Sequence, residues 1–149
     1  MLRTSPAITA ADLLAIRTTF EAAARDPHGT AARFYANLFA LDPSLRALFH
    51  GDMRGQGEKL IAMLQMVVVN LEHLDRLLPT VRQLGQRHVH YGVKDEHYAT
   101  VGTALIQALQ QGSGAVWTHE AYLAWSKAYD LLASTMIAAA KEAVGQGVR

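Results

Sequence analysis

Apolar residues recur along the chain at three- and four-residue spacings, and each run is bounded by a cap or a breaker. Leu13, Ile16 and Phe20 form one face of a first helix over about 9–25. Thr9 stands at its cap, and Asp12 three residues on completes a capping box. Asp26-Pro27-His28-Gly29 reads as a break, followed by a second helix over about 30–41. Pro43, preceded by the capping candidate Asp42, opens a short third helix, PSLRALF. Residues 51–55 read as a loop, after which Gln56, Leu60, Met63, Val67 and Leu71 fall on one stripe of a long helix. Pro79 opens the next helix, where Leu84, His88 and Tyr91 share a face, and Gly92 ends it at a left-handed position. Two longer helices follow at about 95–111 and 118–144, separated by the turn GSGAVW, and the terminal GQGVR is expected to fray. The β-branched run Val67-Val68-Val69 sits inside a helical period, and nothing alternates over six residues. The predicted class is all-α, as one domain over 1–149.

Composition narrows the function without choosing one. At 149 residues, 50% hydrophobic and 18% charged, the chain suits a single compact core and not a disordered segment. A net charge of +1 with no Lys/Arg block gives no electrostatic case for nucleic acid or a membrane surface as partner. With no cysteine, disulfides, thiolate metal sites, cysteine nucleophiles and C-x-x-C-H haem attachment are all excluded. The longest apolar stretch, LIAMLQMVVVNL, is interrupted by Gln65 and is too short to span a bilayer. The N-terminal segment carries acidic Asp12 and Glu21 and lacks an apolar run ending in a cleavage site, so an unprocessed cytoplasmic protein is expected. Oligomeric state is not legible, because an exposed apolar face and a core face share one pattern.

Three polar residues on three helices carry candidate chemistry: Tyr35, Gln56 and His88. Imidazole is a natural haem-iron ligand, whereas amide and phenol are hydrogen-bond donors for whatever binds the opposite face of the iron. Taken singly, Tyr35 also reads as a half-buried core tyrosine, Gln56 as a surface residue at a helix start and His88 as a structural histidine. His90 lies two residues on, about 200° around the helix axis, so both cannot face one iron from a regular helix. Sharing its face with Leu84, His88 is the better candidate, and His90 is expected to face solvent. His28, His73, His97 and His119 read as ordinary surface or hydrogen-bonded residues.

Three blocks resemble a known family. FYANLFALDPSLRALF resembles the second and third helices of neuroglobins and bacterial single-domain haemoglobins, LGQRHVHYGVKDEHYATVG their proximal helix and the start of the next, and AWSKAYDLLASTM their final helix. By this resemblance, covering roughly residues 9–140, the chain is identified as a member of the globin family. It is most similar to bacterial globins with a Tyr/Gln distal pair, including the haem domain of flavohaemoglobins. The resemblance implies about seven to eight helices around a noncovalent haem b, with His88 as proximal ligand. It puts Gln56 over the iron, Leu60 one turn on against the ring, and Tyr35 reaching in from the second helix. Phe49 matches the aromatic stacked on the haem, and Leu84, Val93, Tyr98 and Val101 match apolar contacts around it. Lys59 and Arg87 match positions near the propionates, or simply snorkel into water. Each donor aimed at bound O2 would contribute about 1–3 kcal/mol in a dry pocket.

Two departures bear on function. Neuroglobins close the sixth position with a distal histidine, where this chain has Gln56, so a five-coordinate ferrous iron open to O2, CO and NO is expected. His50, beside Phe49, is the one histidine able to serve as an internal sixth ligand, although its loop position favours solvent. In the final helix Ala140 stands where flavohaemoglobins set a glutamate against the proximal histidine, and Glu142 faces elsewhere. The imidazole's other N–H must then go to a backbone carbonyl such as that of Leu84, or to Tyr98 or Tyr129. An imidazole without an anionic partner pushes fewer electrons toward the iron, which favours reversible O2 transport or storage. NO dioxygenation is the first alternative; because no segment after Arg149 is there to hold flavin, it would use a separate reductase. A gas sensor acting through a partner and a haemless helical module are the others.

Overall fold

The computed structural model describes residues 8–90 and 92–145, with backbone alone at 74, 90, 144 and 145. Helix α1 spans Ala10–Ala23, α2 Pro27–Leu41, α3 Met53–Val69, α4 Leu78–His90, α5 Asp95–Ser113 and α6 His119–Gly145. Three 3-10 segments, Pro43–Leu48, Leu71–Arg76 and Gly114–Val116, link them, and no strand occurs among the described residues. The expected orientation of His90, the place of Tyr91 on its face and the fraying of residues 146–149 lie outside the described residues.

Capping chemistry sets most boundaries. Thr9 and Asp12 form the predicted box, with the Asp12 amide donating to Thr9 Oγ1 at 3.1 Å and the Thr9 amide to Asp12 Oδ2 at 2.9 Å. Two starts differ from expectation. The first helix ends at Ala23, just before Asp26-Pro27-His28-Gly29, but that run already begins α2: Asp26 caps it by accepting from the Gly29 amide at 3.0 Å, and Pro27 occupies the first helical position, where a missing N–H costs nothing. Likewise α3 begins inside the expected loop, because Asp52 accepts from the amides of Arg54 and Gly55. The stripe that was to run on to Leu71 leaves the α-helix at Val69, and a 3-10 segment kinked at His73 follows. The predicted short third helix is a 3-10 turn, capped by Asp42 through the Ser44 amide at 3.1 Å. Gly92 holds φ 83°, as its place after α4 required.

The most extensive helix pairings are α4 on α6 and α2 on α5, with α1 against both α5 and α6. Ile16, Leu38 and Leu109 are fully buried at the centre, and Phe20, Phe34 and Trp125 fill the space around them. Three buried polar side chains of the core are hydrogen-bonded within it. Trp125 Nε1 donates to Thr19 Oγ1 at 2.8 Å, and the hydroxyls of Thr19 and Thr30 donate to the carbonyls of Ala15 and Ala23, each at 2.8 Å. The crossing of α4 on α6 is close because position 85 has no side chain: a Cβ there would lie 2.4 Å from the Met136 carbonyl oxygen. No described helix is long and apolar enough to cross a membrane.

Candidate functional site

His88 lies in the last turn of α4, partly buried, and its Nδ1 is 2.6 Å from the Leu84 carbonyl oxygen one turn back. A carbonyl only accepts, so Nδ1 carries the hydrogen and the lone pair of the neutral ring belongs to Nε2. Burial holds the imidazole below the ordinary histidine pKa; the Leu84 bond pulls the other way, and the charge of Arg87 adds to the depression. The ring is therefore kept neutral with a fixed tautomer, the form in which imidazole ligates a metal. Of the acceptors weighed for that N–H, the backbone carbonyl of Leu84 takes it. Tyr129 is committed elsewhere, its hydroxyl donating to the Tyr98 carbonyl at 2.5 Å. Burial raises the pKa of both phenols, further strengthening the case that they stay protonated donors.

Tyr98 stacks near His88, ring centroids 6.3 Å apart, and its buried hydroxyl has no hydrogen-bond partner among the described residues. Val93 joins the same group through its amide, which donates to the His88 carbonyl at 3.0 Å. Leu84, His88, Val93 and Tyr98 thus form one linked set. Ala140 is buried, and Glu142 is exposed and pairs with Arg82, so Glu142 does not serve His88. Arg87 is exposed.

A second set gathers where α2 meets the chain after the first 3-10 turn. Tyr35 stands edge-on to Phe49 at 5.4 Å and Phe34 at 5.0 Å, and stacks with Phe39 at 6.1 Å. Phe39 was not singled out from sequence. Its signal was its place one turn after Tyr35 on the same helix face. Burial raises the Tyr35 pKa, which keeps its phenol a donor at neutral pH. Leu60 and Val101 are half-buried against the core, and Lys59 is exposed. The Gln56 amide nitrogen is engaged by the backbone, donating to the His50 carbonyl at 2.7 Å. His50 itself is exposed, as its loop position suggested, and His97 serves α5 by accepting from the Lys94 amide at 2.9 Å.

The described residues thus form an all-helical fold with a partly buried imidazole on α4 and, beside it, a buried phenol hydroxyl without a hydrogen-bond partner among the described residues. The chain belongs to the globin family, a haem-binding family, whose profile matches residues 32–136. It is 36% identical over 115 residues to a flavohemoprotein of Bordetella parapertussis, which covers 74% of this chain and 29% of that protein. A flavohemoprotein of Bacillus anthracis is 33% identical over 108 residues, 70% of this chain and 26% of the relative. The chain thus spans less than a third of the length of these curated relatives. Among solved structures, a bacterial globin from Campylobacter jejuni superposes with TM-score 0.78 at 24% identity, covering 92% of this chain and 99% of that one. An engineered carbene transferase, built on a candidate nitric oxide dioxygenase from Rhodothermus marinus, superposes with TM-score 0.83 at 22% identity, over 95% and 99% of the two chains. These likenesses establish the fold. The donor chemistry described above fits the family's haem: a neutral imidazole with Nδ1 anchored, and half-buried apolar side chains at Leu60, Leu84, Val93 and Val101.

Proposed function

We propose that this chain binds haem b noncovalently through His88 Nε2 and uses it to bind O2 reversibly, with CO and NO as further ligands. The observation that carries the reading is the 2.6 Å bond from His88 Nδ1 to the Leu84 carbonyl. It fixes the tautomer a metal ligand needs, on the helix where the family carries its proximal histidine. When bound, haem would supply a ferrous iron able to take a diatomic gas. His88 orients the ring from α4, and Phe49, Leu60, Leu84, Val93, Tyr98 and Val101 keep water from it. Tyr35 and Gln56 donate hydrogen bonds to the gas ligand, and Lys59 and Arg87 meet the propionates. Lacking cysteine, the chain holds the group without a thioether bond. A reducing cytoplasm suits such a chain.

The test is the absorption spectrum of purified, haem-loaded protein, reduced under argon and then exposed to O2. A Soret band with one broad visible band that splits in two on oxygenation is expected, and it should be lost or shifted in His88→Ala. Failure to develop a Soret band on haem titration would overturn the reading. Two sharp visible bands before oxygen would mean that a side chain, His50 first among them, already holds the sixth position.

A second reading, which the resemblance to flavohaemoglobins suggests, is oxidation of NO with electrons from a reductase. Against it stands the bond from His88 Nδ1 to the neutral Leu84 carbonyl, with Glu142 engaged by Arg82. Sustained NO consumption with an added reductase, beyond one equivalent per haem, would favour this reading over a carrier.

A further inference from the structure

Away from His88, a cleft of about 450 Å3 opens between α2, the first 3-10 turn and the start of α3. Its size lies within the range of about 300–1,000 Å3 typical of small-molecule sites. Tyr35 and Phe39, whose rings stack at 6.1 Å, line it together with Gly57 and the alanines at 31, 32 and 36. Its rim is basic: His28, Arg46 and Arg54 line it and no carboxylate does. Arg46 lies over the Phe39 ring at 5.2 Å from the centroid, and Arg54 Nη2 is 3.4 Å from His28 Nε2. A guanidinium only donates, so that contact makes His28 Nε2 an acceptor and leaves Nδ1–H as a donor. Neither arginine lies in ion-pair range of a carboxylate among the described residues. The acids adjacent in sequence, Asp26 and Asp52, accept from backbone amides as the caps of α2 and α3. Two guanidiniums therefore border the cleft without a carboxylate partner among the described residues, and Arg54 keeps donors beyond the one that meets His28 Nε2.

We propose that this cleft binds a small organic monocarboxylate with a flat apolar body. Carboxylate oxygens match the planar donor fork of arginine, and the body rests on Tyr35 and Phe39. A bare inorganic anion would use the rim and leave the rings wet. The cleft shares Tyr35 with the haem reading, so the test carries a haem readout that separates the two sites.

The test is calorimetric titration of the purified, haem-loaded protein with benzoate, benzamide and inorganic phosphate. Saturable one-to-one binding of benzoate is expected, at least tenfold tighter than that of benzamide or phosphate. The double variant Arg46→Gln/Arg54→Gln should weaken benzoate at least tenfold. Ala32→Trp, which adds bulk to the cleft wall from an exposed position without touching a charge, should weaken it as much. No saturable heat with millimolar benzoate would overturn the proposal, as would equal binding of benzamide or phosphate. Undiminished binding in both variants, with a shifted Soret band, would assign benzoate to the haem side and equally overturn it.

Discussion

Gly85 is the position where fold and site are most tightly tied, and Gly85→Ala should damage both. A Cβ there would lie 2.4 Å from the Met136 carbonyl oxygen, 2.7 Å from its Cα and 2.9 Å from its carbonyl carbon. All three are backbone atoms, so no rotamer change on α6 relieves the overlap. Non-bonded heavy atoms sit comfortably at about 3.5 Å, so α4 and α6 must part by about 1 Å at this crossing. Overpacking of this kind costs about 1–3 kcal/mol, or more where only backbone can yield, and is offset by about 1 kcal/mol of helix propensity gained by alanine over glycine. A net loss of about 1–2 kcal/mol is expected, which for a chain of this size lowers Tm by roughly 2–8 °C.

Urea unfolding of the haem-free protein measures the first effect as a lowered midpoint at unchanged slope. The second effect is local. Leu84, whose carbonyl anchors His88, is the neighbour of Gly85 in the chain, so moving α4 off α6 tilts the imidazole. Transfer of haem to an excess of a haem-free acceptor globin should be several-fold faster in the variant. An unchanged or raised midpoint would refute the close approach of the helices. A lowered midpoint with unaltered haem transfer would refute the link from that crossing to His88.

Three further outcomes follow from particular contacts. Tyr98→Phe removes a buried hydroxyl without a partner, so the haem-free protein should gain about 1 kcal/mol, read as a higher urea midpoint; a loss would mean the hydroxyl has a partner in solution. Asp12→Ala removes the side-chain half of the α1 capping box, the acceptor of the Thr9 amide, and the 2.6 Å pair with Lys127, costing about 1–2 kcal/mol at pH 7. The Lys127 hydrogen bond, with the Thr9 amide, holds the Asp12 carboxyl below its ordinary range, so its contribution is present above the unfolded pKa of about 3.9 and disappears as pH falls through the lower folded value. Wild type should therefore lose its advantage over the variant on acidification below about pH 4, in parallel melts; a constant gap would refute the assignment. Trp125→Phe leaves Thr19 Oγ1 without its indole donor and opens a small cavity, for a loss of about 2 kcal/mol in the same urea assay.

How far these features were legible in the sequence depends on the range of the interaction behind each. Thr9/Asp12, Asp42 and Gly92 were readable because a cap or a left-handed turn is settled within four residues. The starts of α2 and α3 were placed late because glycine and proline were weighed as breakers, when Asp26 and Asp52 turn the same residues into first turns. The anchoring of His88 lay within reach, since Leu84 is one turn back on the same helix. By contrast, the Arg82–Glu142 pair and the seat of Gly85 on Met136 join residues far apart in the chain, and no local period encodes them. Nor could spacing show that Arg46, Arg54 and His28 border one cleft, since they come from three elements.

Gln56 shows the same limit with a functional consequence. Its position was legible and its hydrogen bond was not: the amide donates to the His50 carbonyl at 2.7 Å. To serve a gas ligand it must give up that bond, and a neutral hydrogen bond is worth about 0.5–1.5 kcal/mol net. Against a donor contribution of about 1–3 kcal/mol toward a charged acceptor, the exchange leaves Gln56 a net effect of about 0–2 kcal/mol. Tyr35 carries no such commitment, because its contacts are with the rings of Phe34, Phe39 and Phe49, and burial keeps its phenol protonated. Tyr35→Phe should therefore accelerate O2 release more than Gln56→Leu does, on the order of tenfold or above against about tenfold or below. Stopped-flow displacement of O2 by CO reads both rates. Equal acceleration would mean that the His50 bond costs Gln56 nothing, and no acceleration in either variant would remove both residues from the distal role.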